Sequence, residues 1–111
     1  MSILALKTYI KKQTKKQLLN FRIMKTSVEN MTSSNGNKIA NQFIIRTGKS
    51  TIFQSYNSTI VKRTNKNVYL DSYYWDYSKT TSKYRNMFLG ETSKETQQKI
   101  DNGIYKLTNL N

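Results

Sequence analysis

The chain contains no cysteine and no histidine, and it has only four glycines and six carboxylates among its 111 residues. Without cysteine there is no disulfide framework, thiol nucleophile or cysteine zinc cluster. Without histidine there is no Ser-His-Asp triad, HNH-type nuclease or histidine metal site. The lack of cysteine also fits a reducing compartment. The six acids, Glu29, Asp71, Asp76, Glu91, Glu95 and Asp101, are scattered without metal-ligand spacing, so no metal or other cofactor is expected. Gly36, Gly48, Gly90 and Gly103 stand singly, so no glycine-rich loop cradles a phosphate. No apolar run approaches the roughly 18 residues of a membrane span. On these grounds the chain is not expected to be an enzyme.

What is present is positive charge. Nineteen Lys and Arg give a formal net charge of +13. Residues 1–26 carry seven of them (Lys7, Lys11, Lys12, Lys15, Lys16, Arg22, Lys25), and 12 follow from Lys38 onward against five acids, a net +7 there. Two explanations of this excess stand side by side: selection for a polyanionic partner, and an AT-rich coding sequence. The second would raise lysine without selection and fits 15 Lys, 12 Asn and 10 Ile beside 4 Arg. Leu, Ile, Val and Phe make up 25 of 111 residues, close to the range of disordered chains, but eight Tyr and one Trp add the large faces of a small compact core.

Residues 1–31 read as a basic extension. Ile3, Leu6, Tyr9, Ile10, Leu18, Phe21 and Met24 recur at three- and four-residue spacings, which predicts a basic N-terminal helix of weak amphipathicity. It could lie on anionic lipid or nucleic acid, stay solvated, or serve in targeting, although Ile3 to Leu6 is too short for a secretory core. Met24 and Met31 also leave open a start within the extension. Residues 32–38, with the turn-prone pair Asn35 and Gly36, read as a polar linker to a domain over 39–111.

Within that domain, Asn41–Thr47 and Thr51–Tyr56 flank Thr47-Gly48-Lys49-Ser50, and Ser58–Arg63 and Asn67–Asp71 flank Thr64-Asn65-Lys66-Asn67. Both pairs read as β-hairpins, with Gly48 supplying positive φ at the first turn. Tyr84, Met87 and Phe88 at helical spacing, closed by Gly90, predict a helix over Thr80–Leu89. Thr92-Ser93-Lys94-Glu95 matches a capping box and predicts a second over Ser93–Asn102, followed by a last strand in Ile104–Leu110. The fold class is therefore α+β: an antiparallel meander sheet of four to five strands with two short helices, preceded by the basic helix.

Seven of the 13 aromatics lie within 20 residues (Tyr69, Tyr73, Tyr74, Trp75, Tyr77, Tyr84, Phe88), interleaved with Lys79, Lys83 and Arg85. Rings that stack bases beside cations that neutralise phosphates are the equipment of single-stranded nucleic-acid binding. The structural alternative is that most of the cluster fills the core, Trp75 and Phe88 first, while the adjacent Tyr73 and Tyr74 leave at least one ring exposed. Lys62, Arg63 and Lys66 bracket one hairpin tip and Lys49 lies at the other. With the tips taken to be at opposite ends of the meander, two basic rims result. The expected nucleic-acid-binding residues are thus Lys62, Arg63, Lys66, Tyr73, Tyr74, Tyr77, Lys79, Lys83 and Arg85. Gly103-Ile104-Tyr105 resembles the opening of GIY-YIG endonucleases, but the catalytic Arg and metal-binding Glu of that family would have to follow, and only a few residues do. No catalytic residue is assigned.

Phe53-Gln54-Ser55-Tyr56-Asn57-Ser58, Tyr74-Trp75-Asp76-Tyr77-Ser78, Lys83-Tyr84-Arg85-Asn86-Met87-Phe88-Leu89-Gly90 and the ending from Lys99 to Leu110 resemble a family of small bacteriophage proteins of unknown function, over about residues 39–111. The resemblance implies a phage accessory context in the host cytoplasm and assigns no residue. The expected partner is nucleic acid, DNA or RNA, or a host nucleoprotein. The alternatives are an accessory or anti-defence factor acting on a host protein, and a minor virion component. A membrane surface is not an expected partner, and no oligomeric state follows from the sequence.

Overall fold

A computed structural model describes residues 26–111. In chain order the elements are β1 (Ser27–Thr32), β2 (Lys38–Arg46), β3 (Ser50–Ser55), β4 (Ser58–Thr64), β5 (Val68–Asp71), α1 (Lys79–Leu89), α2 (Ser93–Asp101) and β6 (Tyr105–Thr108). The six strands form one sheet in the order β1-β2-β3-β4-β5-β6. The α+β class and the meander of β2 to β5 agree with the sequence, but the strand count and directions do not.

The additional strand is β1, which the sequence reading left within the extension. It pairs with β2, and the stretch read as a linker is the turn between them, where the Ser33 N–H donates to the Asn37 carbonyl at 2.8 Å and Gly36 adopts φ +80°. The sheet is also not wholly antiparallel, because β6 runs parallel to β5. Two helices intervene, and a crossover of that length returns the chain to the starting end of its neighbour, whereas a short hairpin would have reversed it. The predicted N-terminal helix lies outside the described residues.

The β2–β3 turn is built differently from the expectation. Gly48 has no positive φ. Instead the Thr47 hydroxyl accepts the N–H groups of Lys49 (3.3 Å) and Ser50 (3.0 Å), a side-chain turn that needs no left-handed residue. The β4–β5 turn repeats it: the Thr64 hydroxyl accepts from Lys66 at 3.3 Å and Asn67 at 3.1 Å.

Register divides the sheet into two faces. Ile44, Phe53, Val61 and Leu70 are successive cross-strand partners on one, and Phe53, Val61 and Leu70 are fully buried. Phe88 of α1 stacks on Phe53 with centroids 5.9 Å apart, and Trp75, Tyr84, Leu89 and Ile100 pack on the same core. The helices therefore cover this face. Gly90 and the Thr92/Glu95 box act as the sequence predicts, and Ser78 is a further cap that the structure adds. Ser78 caps α1 by accepting the Thr81 N–H at 3.1 Å, Gly90 closes it in the left-handed region, and Thr92 and Glu95 form the reciprocal capping box of α2.

Candidate nucleic-acid interface

Pairing of Ser50 with Thr64 and of Thr51 with Arg63 sets the β2–β3 and β4–β5 tips side by side. Two strand reversals separate them, so they lie at the same end of the sheet, and the expected pair of opposed basic rims is one rim. A cleft of about 380 Å³ opens between the tips, lined by Thr47, Lys49, Ser50, Arg63, Thr64 and Asn65. Lys49 and Lys66 are exposed there. Arg63, on the helix-covered face, holds its guanidinium 4.8 Å from the centre of the Phe88 ring.

On the opposite face, Val28, Ile45, Ile52, Lys62, Tyr69 and Lys106 are successive cross-strand partners across all six strands. This row lies one or two residues in from the end of the sheet that carries Lys49 and Lys66. Tyr69 is half-buried and Lys106 exposed. Because strand side chains alternate between faces, the register places Tyr69 between Lys62 and Lys106 on the side away from Phe53 and the helices. The other half of the row is apolar, and half-buried Phe43 adjoins it.

The expected tyrosines form a separate group beyond the far end of β5. Tyr73 packs edge-on against Tyr74 at 4.8 Å, and Tyr77 lies 5.8 Å from Tyr73 and 5.3 Å from Tyr74. Tyr73 is exposed and Tyr74 packs on the core, as expected, but the segment is a turn and not an extended strand. Asp71 sets it. This buried carboxylate accepts the N–H groups of Tyr73 (3.1 Å) and Tyr74 (2.8 Å) through Oδ2 and that of Leu110 (2.8 Å) through Oδ1. Burial alone would raise its pKa, but the N–H of Leu110, with those of Tyr74 and Tyr73 and the Asn111 amide, outweighs it and holds the pKa below the ordinary value.

Three cations assigned to this group are not equivalent. Lys79 is exposed in the first turn of α1, and Lys83 lies over Tyr84 with Nζ 5.3 Å from the ring centre. Arg85 is fully buried and so is not part of any surface. Its guanidinium donates to the Trp75 carbonyl, to Ser93 Oγ (2.7 Å) and to Asn86 Oδ1 (3.1 Å), pairs with Asp76 at 3.4 Å, and lies 5.0 Å from the Trp75 ring centre. Asp76, which could have paired with Lys79, pairs here with Arg85 and accepts from Ser82 Oγ at 2.8 Å. The structure thus brings Lys62 and Lys66 together at one end, leaves Tyr73, Tyr74, Tyr77 and Lys79 at the other, and removes Arg85 to the interior.

Tyr105 is buried. Its hydroxyl donates to the buried Glu91 carboxylate, which pairs with Lys99 at 2.7 Å. Burial and that bond hold the Tyr105 phenol above its ordinary pKa, while the bonds to Glu91 and Tyr105 raise Lys99. The group seals α2 against β6 and offers no poised nucleophile. Among the described residues there is no cluster of three or more His, Cys, Asp or Glu able to hold a metal, and no helix long and apolar enough to cross a membrane.

The sequence reading left Tyr69 and Lys106 out of the site. Their relation to Lys62 exists only through register, and the one local signal was their opposite parity to Val68 and Leu70 or Leu107. No curated protein and no solved structure matches the chain. Residues 26–103, from the residue before β1 through α2, match the model of a family of unknown function, DUF8033, and the chain belongs to that family.

Proposed function

We propose that the domain binds single-stranded nucleic acid across the face of the sheet opposite α1 and α2. The observation that carries this is the line Lys62–Tyr69–Lys106, in which register sets an aromatic residue between two lysines, toward the end of the sheet that carries the exposed Lys49 and Lys66. Tyr69 would stack a base, worth about 1–3 kcal/mol, while the lysines neutralise phosphates. Such surfaces tolerate many sequences, because every base has a π-face and the phosphates are the same throughout. The proposed setting is that of a small phage accessory protein in the host cytoplasm, supported by the resemblance over residues 39–111.

The test is fluorescence anisotropy with a labelled oligothymidine over a salt series. Four lysines on phosphates give a slope of log K against log salt of about −2.8 for a single strand. Combined Lys62→Ala and Lys106→Ala should reduce its magnitude by about 1.4, whereas Tyr69→Ala should lower affinity about tenfold or more with the slope unchanged. Absence of binding at low salt, or an unaltered slope in the double variant, removes the proposal.

The apolar half of the same face, with Val28, Phe43, Ile45 and Ile52, supports a second reading: a host protein as partner. A complex that survives nuclease and high salt in a pull-down would favour it.

A further inference from the structure

On the helix-covered face α1 packs chiefly on β3 and β4, so β1 and β2 project past it. A cavity of about 410 Å³ opens along that step. Met31 of β1, Ile44 of β2, and Met87 and Phe88 of the last turn of α1 form its apolar wall. Arg46, Thr51 and Arg63, successive cross-strand partners on β2, β3 and β4, form a polar row beside that wall. Met31 is buried, Ile44 and Phe88 are half-buried and Met87 is exposed. Unbranched thioether side chains adapt to what they meet, so the two methionines can close around apolar groups of varied shape.

Both arginines are open to an anion. Arg63 is exposed, its guanidinium is oriented 4.8 Å from the centre of the Phe88 ring, and among the described residues no carboxylate pairs with it. Arg46 donates to Glu29 through Nη1 alone among the described residues. Both members of that pair are half-exposed, a setting in which an ion pair is worth little, and Glu29 does not line the cavity. No acidic residue does. The cavity thus offers an apolar wall and two guanidinium groups with no carboxylate of its own between them.

The anionic and apolar groups of a ligand that fills it must lie close together. Ile44 and Arg46 are two residues apart on one strand and share a face, and Phe88 lies against the Arg63 guanidinium. In an extended peptide neighbouring side chains point to opposite sides, so an internal acid beside an apolar residue presents only one of the two to this wall. A terminal residue differs, because its carboxylate and its own side chain leave the same Cα. We infer that the cavity holds the C-terminus of a partner polypeptide, its carboxylate between Arg46 and Arg63 beside Thr51, and an apolar last side chain against Met31, Ile44, Met87 and Phe88. Lys62, Tyr69 and Lys106 are on the opposite face, so this site and the proposed nucleic-acid surface fail independently.

The experiment is NMR of the full chain, isotope-labelled at the methyl groups of its four methionines, titrated with the acetylated pentapeptide SGSGL bearing a free carboxylate. Saturable shifts of the Met31 and Met87 signals are expected, with a dissociation constant of about 1 mM or below. The C-terminal amide of the same peptide, which lacks the charge, and the acid SGSGG, which lacks the apolar side chain, should each bind at least about tenfold more weakly. Hexanoate keeps both groups but not the peptide bonds that Thr32 and Thr51 can meet, and should bind about fivefold or more weakly. Arg46→Gln and Arg63→Gln, both at exposed positions, should each weaken the acid peptide about fivefold or more with native circular dichroism. Glu29→Gln frees Arg46 and should bind the peptide at least as tightly as the wild type. No saturable shift of Met31 and Met87, equal binding of the amide, the glycine-ended peptide or hexanoate, affinity unchanged in both arginine variants, or weaker binding by Glu29→Gln overturns the inference.

Discussion

Replacing Asp71 tests how this sheet holds the tyrosine turn and the C-terminal segment together. Its two oxygens divide the work: Oδ1 serves Leu110, and Oδ2 serves Tyr73 and Tyr74. An asparagine in its place would have one acceptor and one NH2 group, so Asp71→Asn satisfies one side and sets a donor against a donor on the other. A charge-assisted hydrogen bond contributes about 1.5–3 kcal/mol net, so Asp71→Asn should cost about 2–3 kcal/mol and Asp71→Ala, which orphans all three N–H groups, about 3–5 kcal/mol. Against a typical domain stability of about 5–15 kcal/mol, the alanine variant would be visibly weakened.

Urea unfolding followed by Trp75 fluorescence measures this, and pH separates the charge from the packing. The folded-state pKa of Asp71 lies below its unfolded value near 3.8, so its contribution is fully present above that value and is lost as pH falls through the folded pKa. The stability gap between wild type and Asp71→Asn should therefore be widest near neutral pH and close progressively below pH 3.8. A gap under about 0.5 kcal/mol near neutral pH, or one that does not narrow in acid, would refute the role assigned to the carboxylate.

Arg85→Ala should destabilise by about 3–4 kcal/mol, since it empties a buried site and strands its acceptors, with Arg85→Lys intermediate because the charge remains but the fork does not; a cost under about 1 kcal/mol in denaturant unfolding would contradict this. Tyr56→Gly should leave thermal stability unchanged or raise it by up to about 1 kcal/mol, because glycine adopts φ +53° without strain, and a clear loss would show that ring packing outweighs the backbone. Glu29→Gln, which breaks the half-exposed pair with Arg46, should cost under about 0.5 kcal/mol and less still in high salt.

The turns and helix ends were legible because their chemistry is local. Gly90 and the Thr92/Glu95 box each act within four residues, and the β2–β3 and β4–β5 hairpins were each marked by a polar tetrapeptide between β-rich runs. Gly48 was misjudged because a threonine hydroxyl can close the same turn without positive φ, an alternative that depends on where Thr47 points. Arg85 was placed on the surface because a cation in an aromatic-rich stretch reads as a binding group. Only packing shows that Trp75, Asn86 and Ser93 close around it.

The sequence by itself determined the composition any function must work with: no Cys, no His, six scattered acids and a formal net charge of +13. It also determined most strands and both helices, since periodicity, caps and turn residues act over a few positions. Register and strand direction belong to the tertiary structure. They set the two threonine turns side by side, align Lys62 with Tyr69 and Lys106 over 44 residues of chain, and separate the tyrosine cluster from the lysines. The reason is physical: a one-residue slip would move every side chain of a strand to the other face, and only burial of Phe53, Val61 and Leu70 against the helices selects the register that exposes this line.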